Sequence, residues 1–203
     1  MAPLNPADPS LDRVISALSR TGAESSDFDL NPDVVMPAGR VLRPAAVLVG
    51  LIDRGAGLHV ALTKRSSRLK HHPGQIAFPG GKVDAGDADV TAAALREAWE
   101  EVGLRAEQVE VLGHLPAHET VTSFTVTPVL GLIRDGFDPV AEPGEVEEVF
   151  EVPLAHLADP ANYLVQSRRW RGQRRYYHTV PWGPYYIWGA TARMLRGLAE
   201  RMA

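Results

Sequence analysis

Arg96-Glu97 and Glu100-Glu101 stand close together in the segment FPGGKVDAGDADVTAAALREAWEEVGL, which runs from Phe78 to Leu104 of this 203-residue chain. Glutamates so spaced suit the binding of a hard divalent cation, because Mg²⁺ and Mn²⁺ prefer oxygen ligands. The spacing works through a helix. A helix from Ala88 to Val102, N-capped by Asp87, turns about 100° per residue and gathers Glu97, Glu100 and Glu101 within an arc of about 100°. Leu95, Ala98, Trp99 and Val102 then form the opposite, packing face. Like charges at i,i+3 and i,i+4 repel by a few tenths of a kcal/mol per pair, which a bound cation would remove. Arg96, one turn before Glu100, is placed to hold it. Charge alone equally permits a solvated acidic helix face.

Two segments precede that helix. Phe78-Pro79-Gly80-Gly81 is a turn whose paired glycines allow positive φ and close backbone approach. Before it, RSSRLKHHPG from Arg65 to Gly74 is basic. Arg65, Arg68, Lys70 and two histidines could meet a phosphate-rich ligand, or form a solvated basic loop. His72 could donate to a phosphate or fix the loop to a carbonyl. Neither histidine has the partner spacing of a metal ligand.

The remaining elements must position these groups. Residues 1–43 read as a prelude. A helix starts at Asp8-Pro9-Ser10 with the stripe Leu11, Val14, Ile15 and Leu18, and an extended arm without periodicity follows from Thr21. A single domain is expected over 44–203. AAVLVGLI from Ala45 reads as a buried strand, and LHVALTKR as its hairpin partner. Strands follow at 108–115 and 124–133, with a polar link at 116–123 that could line a cleft. DGFDPVAEPGEVEE, 135–148, is an acidic loop, and Pro153 to Leu157 a short helix. A hairpin spans 163–180 around Arg171-Gly172. Its basic and aromatic residues could suggest nucleic-acid binding, against the plainer reading of a charged hairpin. The closing helix from Trp188 carries the stripe Ile187, Thr191, Met194, Leu195 and Leu198. This order predicts an α/β fold, a mixed sheet between helices.

Composition narrows the function classes. Apolar residues make up 45% and charged residues 23%, ordinary for a globular protein. A net charge of -4 gives no general pull toward nucleic acid or an anionic membrane. Without cysteine there is no disulfide, thiolate site or cysteine nucleophile. The N-terminus lacks the pattern of a signal peptide, and no stretch approaches the roughly 20 apolar residues of a membrane span. A cytoplasmic protein is expected. The long arm, apolar in places, suggests a homodimer.

Taken together, these motifs resemble the Nudix box, G-x5-E-x7-R-E-U-x-E-E-x-G-U, with Gly81 first and Arg96-Glu97, Glu100-Glu101, Gly103 and Leu104 last. Asp87 replaces the first glutamate, eight residues rather than seven separate it from Arg96, and Ala98 fills a bulky position. Upstream, Leu62-Thr63-Lys64-Arg65-Ser66, Leu69, His72, Gly74 and Phe78-Pro79-Gly80-Gly81 resemble the coenzyme A diphosphatase branch, which tolerates both the Asp and the spacing. The resemblance implies the Nudix fold, an α/β/α sandwich with a mixed sheet. It implies Mg²⁺ or Mn²⁺ held by Glu97, Glu100, Glu101 and the Gly81 carbonyl. Catalytic roles would fall to these glutamates, to Arg96 and to Glu145, with Glu147 and Glu148 as rivals of Glu145. Arg65, Ser66, Lys70, His72 and Phe78 would meet a small nucleotide substrate. The implied reaction is attack of water on a diphosphate, splitting coenzyme A or its acyl forms into 3',5'-ADP and (acyl-)4'-phosphopantetheine. ADP-ribose or NADH hydrolysis is the alternative within the fold; a non-catalytic ligand-sensing module is the alternative outside enzymes.

Overall fold

The computed structural model describes residues 9–34, 39–134, 137–170 and 172–203. In chain order its elements are α1 (Pro9–Ser19), β1 (Ser25–Ser26), β2 (Arg43–Asp53), β3 (Leu58–Arg65), β4 (Ile76–Ala77), β5 (Gly80–Lys82) and α2 (Val90–Val102). There follow β6 (Val109–His114), β7 (His118–Glu119), β8 (Phe124–Ile133), β9 (Val146–Pro153), α3 (Leu154–Leu157), β10 (Leu164–Trp170), β11 (Gln173–Thr179) and α4 (Gly189–Met202).

Everything is arranged on β2. Successive strand residues point to opposite faces. Ala45, Val49 and Leu51 enter one core, and Ala46, Leu48 and Ile52 the other. A strand covered on both sides must be apolar throughout, which is why AAVLVGLI shows no alternation. β2 runs parallel to β8 from Arg43↔Phe124 to Ile52↔Ile133. It turns back antiparallel into β3, from Leu51↔Val60 to Asp53↔Leu58. The mixed sheet has the order β1-β7-β8-β2-β3-β4, with β5 on β2, β6 on β8 and β9 on β3. β10 and β11 form a separate antiparallel hairpin.

Helices close both faces. α2 packs Ala93, Ala94, Ala98 and Val102 against Ala46, Leu48 and Ile52. On the other side lie Val14 and Ala17 of α1 with Ala192, Leu195, Leu198 and Ala199 of α4. The α/β/α sandwich is therefore as expected, and so is the buried stripe of α4 from Ile187 through Thr191 to Leu198.

The start of the chain departs from expectation. Ile15 is exposed and Ala17 is buried in its place. The arm is no loose appendage either. β1 pairs in parallel with β7, and Val14 and Ala17 belong to the main core. Val41 of the arm is exposed, and residues 35–38, which include Val35 and Met36, lie outside the described residues. Asp8, at the expected helix start, and Arg171, at the hairpin turn, lie outside the described residues, as do Asp135 and Gly136 of the acidic loop. Among the described residues, no helix is long and apolar enough to cross a membrane.

Candidate active site

The carboxylate helix begins two residues later than the sequence suggests. Its N-cap is Asp89, whose side chain accepts from the Ala92 N–H at 2.8 Å. Asp87 turns instead toward Arg96, accepting from Nε and Nη2 at 3.0 Å each. Nη1 of Arg96 donates to Glu97 Oε1 and Glu100 Oε2, also at 3.0 Å each. One planar guanidinium thus orients three carboxylates, and its hydrogen bonds hold the Asp87 carboxyl below its usual range. At the other end Gly103 adopts the left-handed region, φ 71°. Its N–H reaches Trp99 O at 3.0 Å, and the Leu104 N–H reaches Ala98 O at 3.3 Å. That double closure of a helix end is the physical reason for the glycine.

The helix is also rotated from the expected setting. Trp99, assigned to the packing face, is 54% exposed, while Glu101, assigned to the opposite face, is 3% exposed. A buried carboxylate is costly unless hydrogen-bonded and paired. Glu101 has both compensations: the Gly80 N–H donates to Oε2 at 3.2 Å, and Arg65 Nη1 lies 3.6 Å from Oε1. Trp99 gains no such place because small alanines already fill the contact with the sheet.

Burial pushes the Glu101 carboxyl up to about 7, with Arg65 and the Gly80 N–H opposing the shift and the charges of Glu97 and Glu145 adding to it. Burial likewise raises Glu97, where Arg96 opposes and Glu100 and Glu145 add. The two glycines before the helix serve different needs. Gly80 has φ 156°, and a Cβ there would collide with the Ala46 carbonyl; a Cβ on Gly81 would collide with the Glu97 carboxylate. Gly81 is thus a notch that Glu97 fills.

The three rivals in the acidic segment separate by their partners. Glu147 binds Lys64 Nζ at 2.6 Å and Glu148 accepts from the Tyr185 hydroxyl. Glu145 is exposed, and its charge acts on Glu97 and Glu101. The register of β3 against β9 slips between Lys64 and Arg65, and the Ser66 N–H donates to Glu145 O at 2.8 Å. This bulge carries both Arg65 and Glu145 toward Glu101.

A cleft of ≈ 380 Å³ opens beside this cluster. Arg65, His72 and Phe78 line it, as does the 120–122 part of the polar link. Ser66 and Lys70 are not among its lining residues. Ser66 is buried and its Oγ accepts from the Arg68 N–H at 3.3 Å, closing a local turn, while Lys70 is exposed. Sequence reasoning missed the far wall, to which the hairpin and the start of α4 contribute Arg168, Arg175, Tyr176, Tyr177 and Trp188. The signal was the mixture of basic and aromatic residues, there weighed as a nucleic-acid patch against a plain charged hairpin. Asn31 of the arm was missed as well. Its side chain donates to Tyr176 O at 2.9 Å and accepts from the Tyr176 N–H at 2.8 Å, standing in for a neighbouring strand.

Among the described residues, no three His, Asp or Glu side chains stand ready as a cage for a metal ion. The carboxylates are held by Arg96 and Arg65 instead. Their chemistry nonetheless fits a hard divalent cation. Oxygen donors converge beside a glycine notch, and after burial, the larger cause, the charge of Glu145 helps to raise the proton affinity of Glu97 and Glu101.

Comparison with known proteins agrees with this geometry. Residues 41–176 match the family model described as NUDIX domain. An uncharacterized Nudix hydrolase, NudL, from Citrobacter koseri is 45% identical over 157 residues, 77% of this chain and 81% of the relative. The NudL of Cronobacter sakazakii is 41% identical over 190 residues, 93% of each chain. Among solved structures, the NUDIX domain of Shewanella oneidensis NrtR, complexed with ADP ribose, superposes with a TM-score of 0.51 at 16% identity, covering 85% of this chain and 96% of that one.

Proposed function

The chain belongs to the Nudix family, and from that premise we propose that this Nudix hydrolase splits the diphosphate of coenzyme A or an acyl-coenzyme A. The products are 3',5'-ADP and (acyl-)4'-phosphopantetheine. The observation that carries the reading is the packing of Glu101 against Gly80 and Arg65, which joins the carboxylate cluster to the cleft.

Glu97, Glu100 and Glu101, with the Gly81 carbonyl, would hold Mg²⁺ or Mn²⁺. The cation, when bound, neutralises charge on the phosphoryl oxygens and makes a water more acidic. Arg96 fixes the directions of Glu97 and Glu100. Glu145, exposed at the mouth of the cluster, takes the proton of the attacking water. Arg65 stands between the cluster and the cleft and meets the diphosphate as its charge develops. His72 and the buried Phe78 line the path of the remaining substrate. The upstream signature from Leu62 to Gly81 supports coenzyme A. The second reading is ADP-ribose, the ligand of the NrtR domain.

The test is chromatographic detection of the cleavage products of coenzyme A, acetyl-coenzyme A, ADP-ribose and NADH, each with Mg²⁺, with Mn²⁺ and with a chelator. Turnover of the coenzyme A substrates, abolished by the chelator, is expected. Cleavage of ADP-ribose alone would move the assignment to the second reading.

A further inference from the structure

The far end of the cleft is cationic in a chain whose net charge is -4. Arg168 and Arg175 sit directly opposite one another on β10 and β11, and both line the cleft. Like charges directly opposite across a strand pair are destabilising. The neighbouring pair, Arg169↔Arg174, is not part of the cleft lining; its residues are exposed, where water screens them. In the cleft-facing pair Arg168 is exposed and Arg175 half-buried, and both are spread over aromatic rings. The Arg168 guanidinium carbon lies 4.3 Å from the Trp188 ring centroid, and that of Arg175 5.9 Å from the Phe28 ring. A guanidinium stacked by one face keeps its in-plane N–H edges for hydrogen bonding.

No carboxylate of a described residue lies within ion-pair distance of Arg168. The one carboxylate among the described lining residues, Asp27, is engaged elsewhere: Oδ1 pairs with His118 Nε2 at 3.2 Å and Oδ2 accepts from the Val121 N–H at 2.8 Å. Positive charge extends back along the cleft, since Arg65 and Arg168 both act on His72.

We propose that Arg168, braced on Trp188 and faced by Arg175, is a specificity-determining residue that holds a second phosphate of the substrate, remote from the diphosphate that is cleaved. This rests on the reading of the chain as a nucleotide diphosphatase and assigns the terminal phosphate to the hairpin rather than to the basic segment before the glycine turn. Lys70 does not line the cleft, and Arg65, beside Glu101, is placed for the diphosphate that is cleaved.

The probes are adenosine 3',5'-bisphosphate and adenosine 5'-monophosphate, neither of which contains a diphosphate bond. Calorimetry on the parent should show the bisphosphate binding roughly 10-fold tighter or more, the ratio expected of one charge-assisted contact. Arg168→Gln should bring the two ligands to about equal affinity, near that of the monophosphate. Arg168→Lys should restore part of the ratio, and Arg169→Gln, outside the cleft, should keep all of it. Arg168 is exposed, so the variants should melt like the parent. In turnover, Arg168→Gln should raise KM for coenzyme A by roughly 10-fold, leaving kcat and all dephospho-coenzyme A kinetics within about twofold. Discrimination that survives in Arg168→Gln, or is missing in the parent, overturns the proposal. A parent that discriminates between the probes yet cleaves no diphosphate would sink the enzymatic reading and leave the phosphate subsite standing.

Discussion

Arg65 Nη1 and Glu101 Oε1 face each other at 3.6 Å, the first at the edge of the cleft and the second almost wholly buried under it. The pair lets a carboxylate survive in the interior, where burial lifts its proton affinity to a pKa of about 7 from an ordinary 4.5. The folded protein therefore binds that proton more tightly than the unfolded chain. Without a cation, Glu101 costs nothing below pH 4.5, and its cost grows as pH rises to about 7.

Glu101→Gln should accordingly move activity and stability in opposite directions. Turnover should fall by roughly 10³-fold or more. In chelator at pH 8 the variant should be more stable than the parent, by up to about 3 kcal/mol, and at pH 4 the two should coincide. Urea melts at both pH values, alongside the turnover assay, check this. Parent-like turnover would remove Glu101 from the metal cluster. A loss of stability at pH 8 would mean that Gly80 and Arg65 do more than offset its burial.

The rotation of α2 gives a second prediction. Trp99→Ala should change stability by no more than about 0.5 kcal/mol, as for an exposed substitution. Ala98→Leu, at a fully buried contact with β2, should cost roughly 1–3 kcal/mol through overpacking. Thermal melts of the two variants decide, and a larger loss for Trp99→Ala would restore the rotation drawn from the sequence.

What the sequence made legible follows from the range of each interaction. β2, β3, β8 and the stripe of α4 were readable because burial on both faces, or along one stripe, leaves a pattern within a few residues. The REAWEEVGL cluster was readable because its spacing is local. The exact rotation of α2 was not, since Glu101 is drawn inward by partners 21 residues away at Gly80 and farther still at Arg65. Nor was the cap, because Asp87 and Asp89 are both capable of it and only the geometry of Arg96 assigns Asp87 elsewhere. The cleft was least readable of all. Its walls come from the arm, the basic segment, the hairpin and α4, and no local pattern joins Asn31 to Tyr176 across 145 positions.

That Asn31–Tyr176 contact is itself testable. Asn31 is buried and makes two hydrogen bonds to the edge of β11 and a third to Asp27 O at 3.2 Å. Asn31→Ala would leave the Tyr176 backbone groups without these partners, at a cost of about 1–3 kcal/mol. Asn31→Asp should be at least as damaging, because a carboxylate cannot donate to Tyr176 O or Asp27 O. Amide hydrogen exchange should show the Tyr176 N–H losing protection in Asn31→Ala, whereas the carboxylate of Asn31→Asp can still accept from it and should keep more of that protection. Unchanged protection and stability would mean that the hairpin holds its position without the arm.

The last prediction concerns pH and a histidine far from the carboxylates. His178 on β11 is buried, and Arg196 Nη1 of α4 lies 3.0 Å from its Nδ1. A guanidinium can only donate, so the ring must be neutral and accept at that nitrogen. Burial is the larger cause, and the charges of Arg196 and Arg193 add to it, lowering the pKa from 6.5 to about 4 against the weaker pull of Glu200 and Asp29. A histidine depressed in the folded state contributes stability that is complete above pH 6.5 and is lost as pH falls toward about 4. Unfolding free energy should therefore drop by roughly 1–3 kcal/mol between pH 7 and pH 4 on account of this residue. His178→Gln keeps an acceptor for Arg196 but cannot take up a proton in this range. The variant should lose that share of the acid sensitivity while folding normally at pH 7. Denaturant melts of parent and variant across the interval measure the difference directly. Parallel curves would show that Arg196 and His178 part as the ring charges, and that the acid dependence of the fold arises elsewhere.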